Sequence, residues 1–441
     1  MNNYIQIRSK IRKFKKKIEI SGDKSISIRC VLLASQAIGV SKIYNLLESE
    51  DVLNSLKSIK RLGINYEKFK DYYKIEGLGL AGYNTQKRIK LYAGNSGTFA
   101  RLILGLLANS NNEISVVGDK SLSVRDFSRI TDPLEKFGLK IKSNKSKLPV
   151  KIKGSNYLRP INYFEKLGSA QCKSAVIFAA LKTPGITKIK AKKSRNHTEL
   201  LLKSLRFPIK VVPKKNYDII EVKGQHNFNG FNYRVPGDIS SSSFFLVLTL
   251  LSKDSELIIK NINVNKSRIG VIKILNKMNA KILLKNKKKY KGEETSDIIV
   301  SSEKNLKGIN CPKSLNSAAI DEFLIIFLAA AKANGVSTFK NLGELNKKES
   351  PRLDIAVNFL KKIGIKVTRK KNDIKIYGNP KLELNGNYHI KNFKKDHRVF
   401  MMSCIAALSL GGKWKIYDTD SVNSSFPNFI KIIKKLGANI N

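Results

Sequence analysis

The sequence predicts an α/β protein of two or more domains, assembled from six copies of one unit of about 70 residues. Three observations predict it. Short strand-like runs give way repeatedly to apolar helices that open on small polar or cationic residues. These openings recur at near-equal spacing: with Ser25, Gly97, Ser169, Ser241, Asp321 and Arg398 as markers, the separations are 72, 72, 72, 80 and 77 residues. A second helix then closes each period on a similar stop: Leu62-Gly63, Phe137-Gly138, Leu205-Arg206, Met278-Asn279, Ile363-Gly364 and Leu436-Gly437. Gly or Asn past a helix end takes the left-handed conformation that caps it. Arg206 departs from this, and Pro208 is expected to end that helix instead. An alternating strand generally follows, so the unit reads β-α-β-α-β-β. That is too large for a solenoid repeat and the right size for a pseudo-symmetric α/β building block.

In chain order, Lys17 to Ile20 reads as a strand, and Ser21-Gly22-Asp23-Lys24-Ser25 turns into a helix through Val31, Leu32 and Ala34. The second copy is the clearest. Ile89 to Ala93 is a strand, Gly94-Asn95-Ser96-Gly97-Thr98-Phe99-Ala100-Arg101 a turn, and Phe99, Leu102, Ile103, Leu106 and Leu107 recur at helical spacing. Its glycines allow close backbone approach, and the first helical N–H groups have no partner within the helix. An anion is stabilised there, with Arg101 adding a full charge. Taken alone, the same turn would only cap a core helix, with Ser96 or Thr98 as the cap. The third copy runs from Leu167-Gly168-Ser169-Ala170-Gln171 into Ala175, Ile177 and Phe178, and the fourth from Val235 to Ser241 into Phe244 to Leu251. Asn316 to Asp321 is expected to open the fifth helix through Phe327, and Asp396-His397-Arg398 the sixth through Met401, Ile405 and Leu408. If these helices pack side by side, several positive dipole ends meet, and the ligand should carry several negative charges in a small volume.

Composition narrows the classes. At 441 residues and 42% hydrophobic content the chain can bury a large core. Its longest apolar runs, such as Phe323 to Ala331, fall far short of the ~18 residues of a membrane span. The basic N-terminus (Arg8, Lys10, Arg12, Lys13, Lys15, Lys16, Lys17) lacks the apolar centre of a secretory signal, so a cytoplasmic place is expected. Cys30, Cys172, Cys311 and Cys404 stand apart and read as reduced and mostly buried, and the four histidines lack metal-ligand spacing. The net charge of +49 raises nucleic-acid binding. Against it, the lysines are spread over the whole chain and no zinc-finger or RNA-recognition signature is present; polyanion affinity is then a by-product of charge. Lys285-Asn286-Lys287-Lys288-Lys289-Tyr290-Lys291 is expected to be a solvated hairpin tip.

The turns carry Lys24, Ser25 and Arg29; Gly97, Thr98 and Arg101; Ser169, Gln171 and Lys173; Asp238, Ser240 and Ser241; Asp321; and His397 and Arg398. The loop Gly118 to Arg125 adds two cations, and the polar stretch Asn341 to Arg352 enters a helix with Pro351 at a first helical position. Arginine grips phosphate or carboxylate at two points, and lysine acts as a point charge. Asp321 and Glu349 are carboxylates among these cations: solvated surface groups if taken singly, proton-transfer groups in a cationic cleft.

In this order the residues resemble the 5-enolpyruvylshikimate-3-phosphate synthase family, from about Lys17 to the C-terminus. The motifs are Gly22-Asp23-Lys24-Ser25-Ile26-Ser27-Ile28-Arg29, Asn45-Leu46-Leu47-Glu48-Ser49-Glu50-Asp51, Gly94 to Arg101, Ser169 to Ala175, Ser194-Arg195-Asn196-His197-Thr198-Glu199, Lys348-Glu349-Ser350 and Asp396-His397-Arg398. The resemblance implies the enolpyruvyl transferase fold, a two-domain inside-out α/β barrel of six βαβαββ pseudo-repeats, three per domain. Residues 1–22 and 236–441 would form the first, discontinuous domain and residues 23–235 the second, with the active site in the cleft between them. It implies transfer of the enolpyruvyl group of phosphoenolpyruvate to the 5-hydroxyl of shikimate 3-phosphate with release of phosphate, a step of chorismate and aromatic amino-acid biosynthesis. Both substrates carry a phosphate and a carboxylate. Neither metal nor organic cofactor, membrane nor specific nucleic acid is implied, and the chain is expected to be a monomer.

Carried over position by position, Lys24 would touch both substrates. Ser25, Arg29, Ser169, Gln171, Ser194, Asp321 and Lys348 would hold shikimate 3-phosphate, and Gly97, Arg125, Gln171, Arg352 and Arg398 phosphoenolpyruvate. Asp321 would accept the 5-hydroxyl proton and Glu349 deliver one to the methylene carbon, with Lys24 a competing proton carrier. The chain departs from the family pattern at Ser424, where some members carry a lysine, at Asn346 for a frequent arginine, at Pro351 for a frequent aspartate and at Asp126 for the usual proline. Gly97 implies sensitivity to glyphosate. The UDP-N-acetylglucosamine enolpyruvyl transferases share fold and chemistry but usually place a cysteine, sometimes an aspartate, in the loop matching residues 118 to 125; here that loop has no cysteine and offers only Asp119. The charge alone would suit a basic nucleic-acid-binding protein, and the fold alone a catalytically dead relative; Lys24, Asp321, Glu349 and Arg398 speak against the latter.

Overall fold

The computed structural model describes residues 3–86 and 88–441. Two compact units emerge: unit 1 comprises Met1–Ser21, Pro236–Lys289 and Glu294–Asn441, and unit 2 comprises Gly22–Val235 and Tyr290–Glu293. Each has its own hydrophobic core.

Six apolar helices head the repeats: α1 (Lys24–Gln36), α2 (Gly97–Leu106), α3 (Ala170–Lys182), α4 (Ile239–Leu251), α5 (Phe323–Ala331) and α6 (His397–Leu410). They are hydrophobic nearly all round, which is the composition of a helix with no solvent face, and α5 and α6 are buried at every residue. The strands alternate instead. In Lys147–Lys153 and Ile186–Lys192 every second residue is buried and its neighbours are exposed. Side chains on a strand point to opposite faces in turn, so many of the lysines behind the high net charge ride on the solvent faces of the sheets.

The helices connect parallel strands. Ile89–Tyr92 runs parallel to Ile114–Val117, which pairs antiparallel with Lys147–Lys153, and that strand in turn pairs with Lys140–Asn144 in a hairpin. Asn162–Glu165, Ile186–Lys192, Tyr217–Lys223 and Ile209–Pro213 repeat the pattern. Three sheets are completed by strands remote in sequence. Lys15–Glu19, which leads into α1, pairs with Glu256–Asn263 in unit 1, whereas Asn232–Arg234, which leads towards α4, pairs with Ile38–Tyr44 in unit 2. The strand read as the first member of the first repeat therefore belongs to the sheet of the fourth. Likewise Tyr4–Ile7 pairs with Gly411–Tyr417, giving the sixth sheet an outer strand that the chain after α6 does not supply.

Three expectations need correction. Arg206 does adopt the left-handed conformation, at φ 57°, alongside Gly63, Gly138, Asn279, Gly364 and Gly437, so all six stops share one geometry. The fifth helix is broken: Asn316–Ala319 and α5 are separate, the segments Lys313–Ala319 and Phe323–Ala331 are bent by 119°, and Asp321 lies in the break. The lysine run is only in part the expected solvated tip: Lys285, Lys287, Lys288, Lys289 and Lys291 are exposed, but the first four lie on the strand Ile282–Tyr290, and Tyr290–Glu293 is packed within unit 2. Among the described residues no single helix is long and apolar enough to cross a membrane; the bent pair meets that test only by length and composition.

Candidate active site

In unit 2 each leading helix is capped by a side chain that its motif supplies. Asp23 accepts from the Ile26 N–H of α1 at 3.0 Å, Ser96 from Phe99 of α2 at 3.2 Å, and Ser169 from Cys172 of α3 at 3.3 Å. Of the two cap candidates in the second turn, Ser96 is the one used. These caps satisfy one N–H each and leave other first-turn groups pointing outward. The helix starts then interlock. Gln171 donates to Thr98 Oγ1 at 2.9 Å, and Arg101 donates to Gln171 Oε1 at 3.1 Å, tying α2 to α3. Arg29 of α1, 3% exposed, donates to Thr198 Oγ1 at 2.7 Å, to Ser174 Oγ of α3 at 3.1 Å and to its own Ser25 carbonyl at 2.9 Å. Three helix starts thus meet within this unit.

Lys24 stands at the first position of α1, its Nζ 2.8 Å from Asp51 Oδ2. The turn before it admits only glycine at Gly22, where a Cβ would come within 2.1 Å of the Asn45 carbonyl. Asn45, from the second motif, holds that contact in place by donating to Val235 O at 2.8 Å. The loop from Gly118 folds into a single helical turn, Lys120–Ser123, capped by Asp119 through Leu122 N–H at 2.7 Å. It delivers Arg125 to Asn95 of the opening turn, Nη2 to Oδ1 at 2.7 Å. At Gly97 an added Cβ would lie 2.5 Å from Arg101 Nη1 and 3.2 Å from Arg125 Nη1, so the missing side chain keeps both guanidinium groups beside the start of α2. Arg101 itself packs over the Phe127 ring. Ser194 Oγ is buried with no hydrogen-bond partner among the described residues, and Lys173 and Glu199 form a buried pair at 2.6 Å.

Unit 1 repeats the interlock with charge. Asp238 caps α4 through Ser240 N–H at 2.7 Å and receives Arg268 at 3.1 Å. Ser240 Oγ donates to Glu322, just ahead of α5, and accepts from Arg398 Nη2 of α6 at 2.8 Å. Arg398 Nη1 donates to the Asp321 carbonyl at 2.8 Å. Beside this lies a cluster of opposite charges. Arg352, 1% exposed, donates from Nε to Asp396 Oδ2 at 2.8 Å and from Nη2 to Glu349 Oε2 at 2.5 Å, and its Nη1 lies 3.6 Å from Asp321 Oδ1. Lys348 Nζ reaches the same Asp321 oxygen at 3.0 Å. Burial opposes the Arg352 charge, but Asp396, Glu349 and Asp321 outweigh it and hold its pKa above the ordinary value. Burial likewise favours a neutral Asp396, yet Arg352 keeps that carboxyl below the usual carboxylate range. Asp396 also caps α6 through Arg398 N–H at 3.0 Å and accepts from Ser350 Oγ at 2.7 Å.

Asp321 and Glu349 therefore flank different nitrogens of one buried guanidinium, each partly exposed while Arg352 is not. Two carboxylates held in fixed positions by one cation can exchange protons with a bound molecule without moving far. Asn346, at the position of a frequent arginine, accepts from Leu353 N–H at 2.9 Å and so caps the helix Arg352–Lys362. Ser424, in the place of a lysine, lies 3.5 Å from His397 Nδ1 at the head of α6. Asp51, Asn95 and Asp396 stood within the motifs but had no assigned role; each is the partner of a cation that did. An acid or amide at or beside a helix start, close to a cation-bearing motif, was the available signal. Among the described residues no group of three or more His, Cys, Asp or Glu gathers as a metal site would require.

The family model for EPSP synthase (3-phosphoshikimate 1-carboxyvinyltransferase) matches residues 8–433. The 3-phosphoshikimate 1-carboxyvinyltransferase of Ruthia magnifica subsp. Calyptogena magnifica is 40% identical over 429 residues, covering 96% of each chain. An EPSP synthase structure from Acinetobacter baumannii superposes with a TM-score of 0.87 at 32% identity, covering 99% of both chains. The enolpyruvyl transferase NikO from Streptomyces tendae shares the fold, with a TM-score of 0.77 at 13% identity over 100% of this chain and 98% of its own. On the family match and the identity across nearly its whole length, this chain belongs to the EPSP synthase (3-phosphoshikimate 1-carboxyvinyltransferase) family.

Proposed function

We propose the following residue roles in the family's reaction, which this chain catalyses: transfer of the enolpyruvyl group of phosphoenolpyruvate to the 5-hydroxyl of shikimate 3-phosphate, with release of phosphate. In the shikimate pathway this step leads to aromatic amino acids. The observation that carries the division of roles is the carboxylate pair about Arg352, with Lys348 and Arg398 beside it.

Asp321 takes the proton of the 5-hydroxyl as its oxygen adds to C2 of phosphoenolpyruvate, and Glu349 gives a proton to the methylene carbon, which becomes a methyl group. The tetrahedral adduct then loses phosphate and a methyl proton to form the enol ether. Lys348 favours the ionised Asp321 that a proton acceptor requires. Arg352 holds Glu349 in position. Lys24, partly exposed beside Asp51, touches both substrates and is the second candidate for proton carriage. Ser25, Arg29, Ser169, Gln171, Ser194, Asp321 and Lys348 hold shikimate 3-phosphate; Gly97, Arg125, Gln171, Arg352 and Arg398 hold phosphoenolpyruvate. Hydrogen bonds to Thr198, Ser174 and the Ser25 carbonyl fix the Arg29 guanidinium in place as a positive charge for that substrate. The chain is read as a monomer of the cytoplasm, where its four free cysteine thiols stay reduced.

Asp119, the residue that could have supported a UDP-N-acetylglucosamine enolpyruvyl transferase, has its carboxylate committed to a helix cap. Arg125 provides the sharpest test of the phosphoenolpyruvate assignment. A charge-assisted hydrogen bond of about 1.5–3 kcal/mol corresponds to about a 10- to 100-fold change in binding. Arg125→Ala is expected to raise KM for phosphoenolpyruvate by that factor and leave KM for shikimate 3-phosphate nearly unchanged. Steady-state kinetics with each substrate varied in turn reads this out, and the reverse pattern would refute the assignment.

A further inference from the structure

We infer that Glu293 is a positioning residue for the shikimate 3-phosphate end of the site, acting through His197. This rests on the assignment of Arg29 and Ser194 to that substrate. Glu293 belongs to the tip Tyr290–Glu293, where strands Ile282–Tyr290 and Glu293–Ser301 of a hairpin join, and that tip is packed in unit 2. A hairpin tip needs only turn residues to close, here Lys291 and Gly292 at positive φ. This one carries more. The Tyr290 hydroxyl accepts from Arg234 N–H at 3.1 Å, its ring packs against Tyr233 with centroids 5.4 Å apart, and Lys291 Nζ donates to the Asn232 carbonyl. Gly292 lies on the helix His197–Ser204, where a Cβ would stand 3.4 Å from Leu200 Cβ.

Glu293 and His197 are both fully buried, with Oε1 2.6 Å from Nδ1. A carboxylate only accepts, so Nδ1 carries the proton. Burying such groups is costly unless they are paired with good geometry, so a glutamate at this position serves to fix the imidazole. His197 opens its helix, and the next residue, Thr198, touches a group assigned to the substrate. Thr198 Oγ1 accepts from Arg29 Nε at 2.7 Å and lies 2.7 Å from Ser174 Oγ. Glu199 neutralises buried Lys173 at 2.6 Å, and Ser194 stands three residues before His197 in the segment that leads into this helix. Removing the Glu293 carboxylate frees His197 to rotate, and the loss passes through the Thr198 backbone to the Arg29 guanidinium. None of the groups assigned to phosphoenolpyruvate or to proton transfer lies on that route.

The test compares wild type, Glu293→Ala, Glu293→Gln and the exposed-strand control Lys288→Ala. Each is titrated calorimetrically with shikimate 3-phosphate alone and assayed for KM of both substrates and for kcat. Glu293→Ala is expected to weaken shikimate 3-phosphate binding about tenfold, in Kd and KM alike, a change of about 1.4 kcal/mol, with kcat and KM for phosphoenolpyruvate within twofold. Glu293→Gln, whose amide oxygen still accepts the Nδ1–H, is expected to recover most of that affinity. Lys288→Ala is expected to match wild type. If Glu293→Ala fails to fold, Glu293→Asp, with a shortened carboxylate, is expected to weaken shikimate 3-phosphate selectively. Unchanged affinity in a folded Glu293→Ala or Glu293→Asp, or an equal loss in both KM values and kcat, overturns the inference. A wild type that binds shikimate 3-phosphate without turnover would instead strike at the catalytic roles and leave the positioning standing.

Discussion

Glu349→Gln is expected to lower kcat by about 10²- to 10⁴-fold, the usual loss when a positioned proton-transfer group is removed, while both KM values stay within a few-fold. Glutamine keeps the shape of glutamate and can still accept the hydrogen bond from Arg352 Nη2. What it lacks is a transferable proton, so the loss falls in the chemical step rather than in binding. Arg125→Ala predicts the opposite signature. A Glu349→Gln enzyme with near-normal kcat and a raised KM would mean that Glu349 only orders Arg352.

The largest effect on stability is expected at Asp396. Its carboxylate is completely buried, accepts from Arg352 Nε and Nη2, from Ser350 and from the Arg398 N–H, and so serves the guanidinium and the α6 cap together. Taking one partner from a buried ion pair costs about 3–5 kcal/mol, because the other charge is left without compensation. Glu349 still reaches Arg352, which places Asp396→Ala near the low end, about 3 kcal/mol. Urea denaturation should show a lower midpoint at unchanged slope. The sign of the pH dependence follows from the depressed pKa of Asp396. Its contribution is complete above the unfolded value of about 3.9 and is lost as pH falls through the lowered folded value, because the unfolded chain binds the proton first. Wild type should therefore lose this part of its stability only in acid, and Asp396→Asn should lack it at every pH. An Asp396→Ala protein as stable as wild type would show that the buried pair contributes nothing.

Much of the architecture was legible in the sequence because it repeats. Apolar helices with no polar stripe must be buried, and six of them opening on the same residue types at near-equal intervals imply one unit used again and again. Boundaries that depend on tertiary pairing were not legible. Nothing local tells Lys15–Glu19 to pair with Glu256–Asn263, or Asn232–Arg234 with Ile38–Tyr44, since each strand alternates equally well in either sheet. Arg206 takes a left-handed conformation that its side chain does not favour, so residue preference pointed to Pro208 instead. In the site, the charged residues stood out in the motifs, but their counter-charges did not. Asp51 lies 27 positions from Lys24 and Asp396 44 positions from Arg352, and only folding sets them side by side. The lysine-rich hairpin was legible in part: its lysines are exposed, as their composition implies, but the buried Glu293 just beyond them has no sequence pattern of its own.

The most direct test of the whole account is phosphate release from phosphoenolpyruvate by the purified chain, measured with shikimate 3-phosphate, with UDP-N-acetylglucosamine and with no acceptor. Stoichiometric phosphate in the presence of shikimate 3-phosphate, and none above background in the other two, is the expected result. Release with the nucleotide sugar, or none with shikimate 3-phosphate, would contradict it.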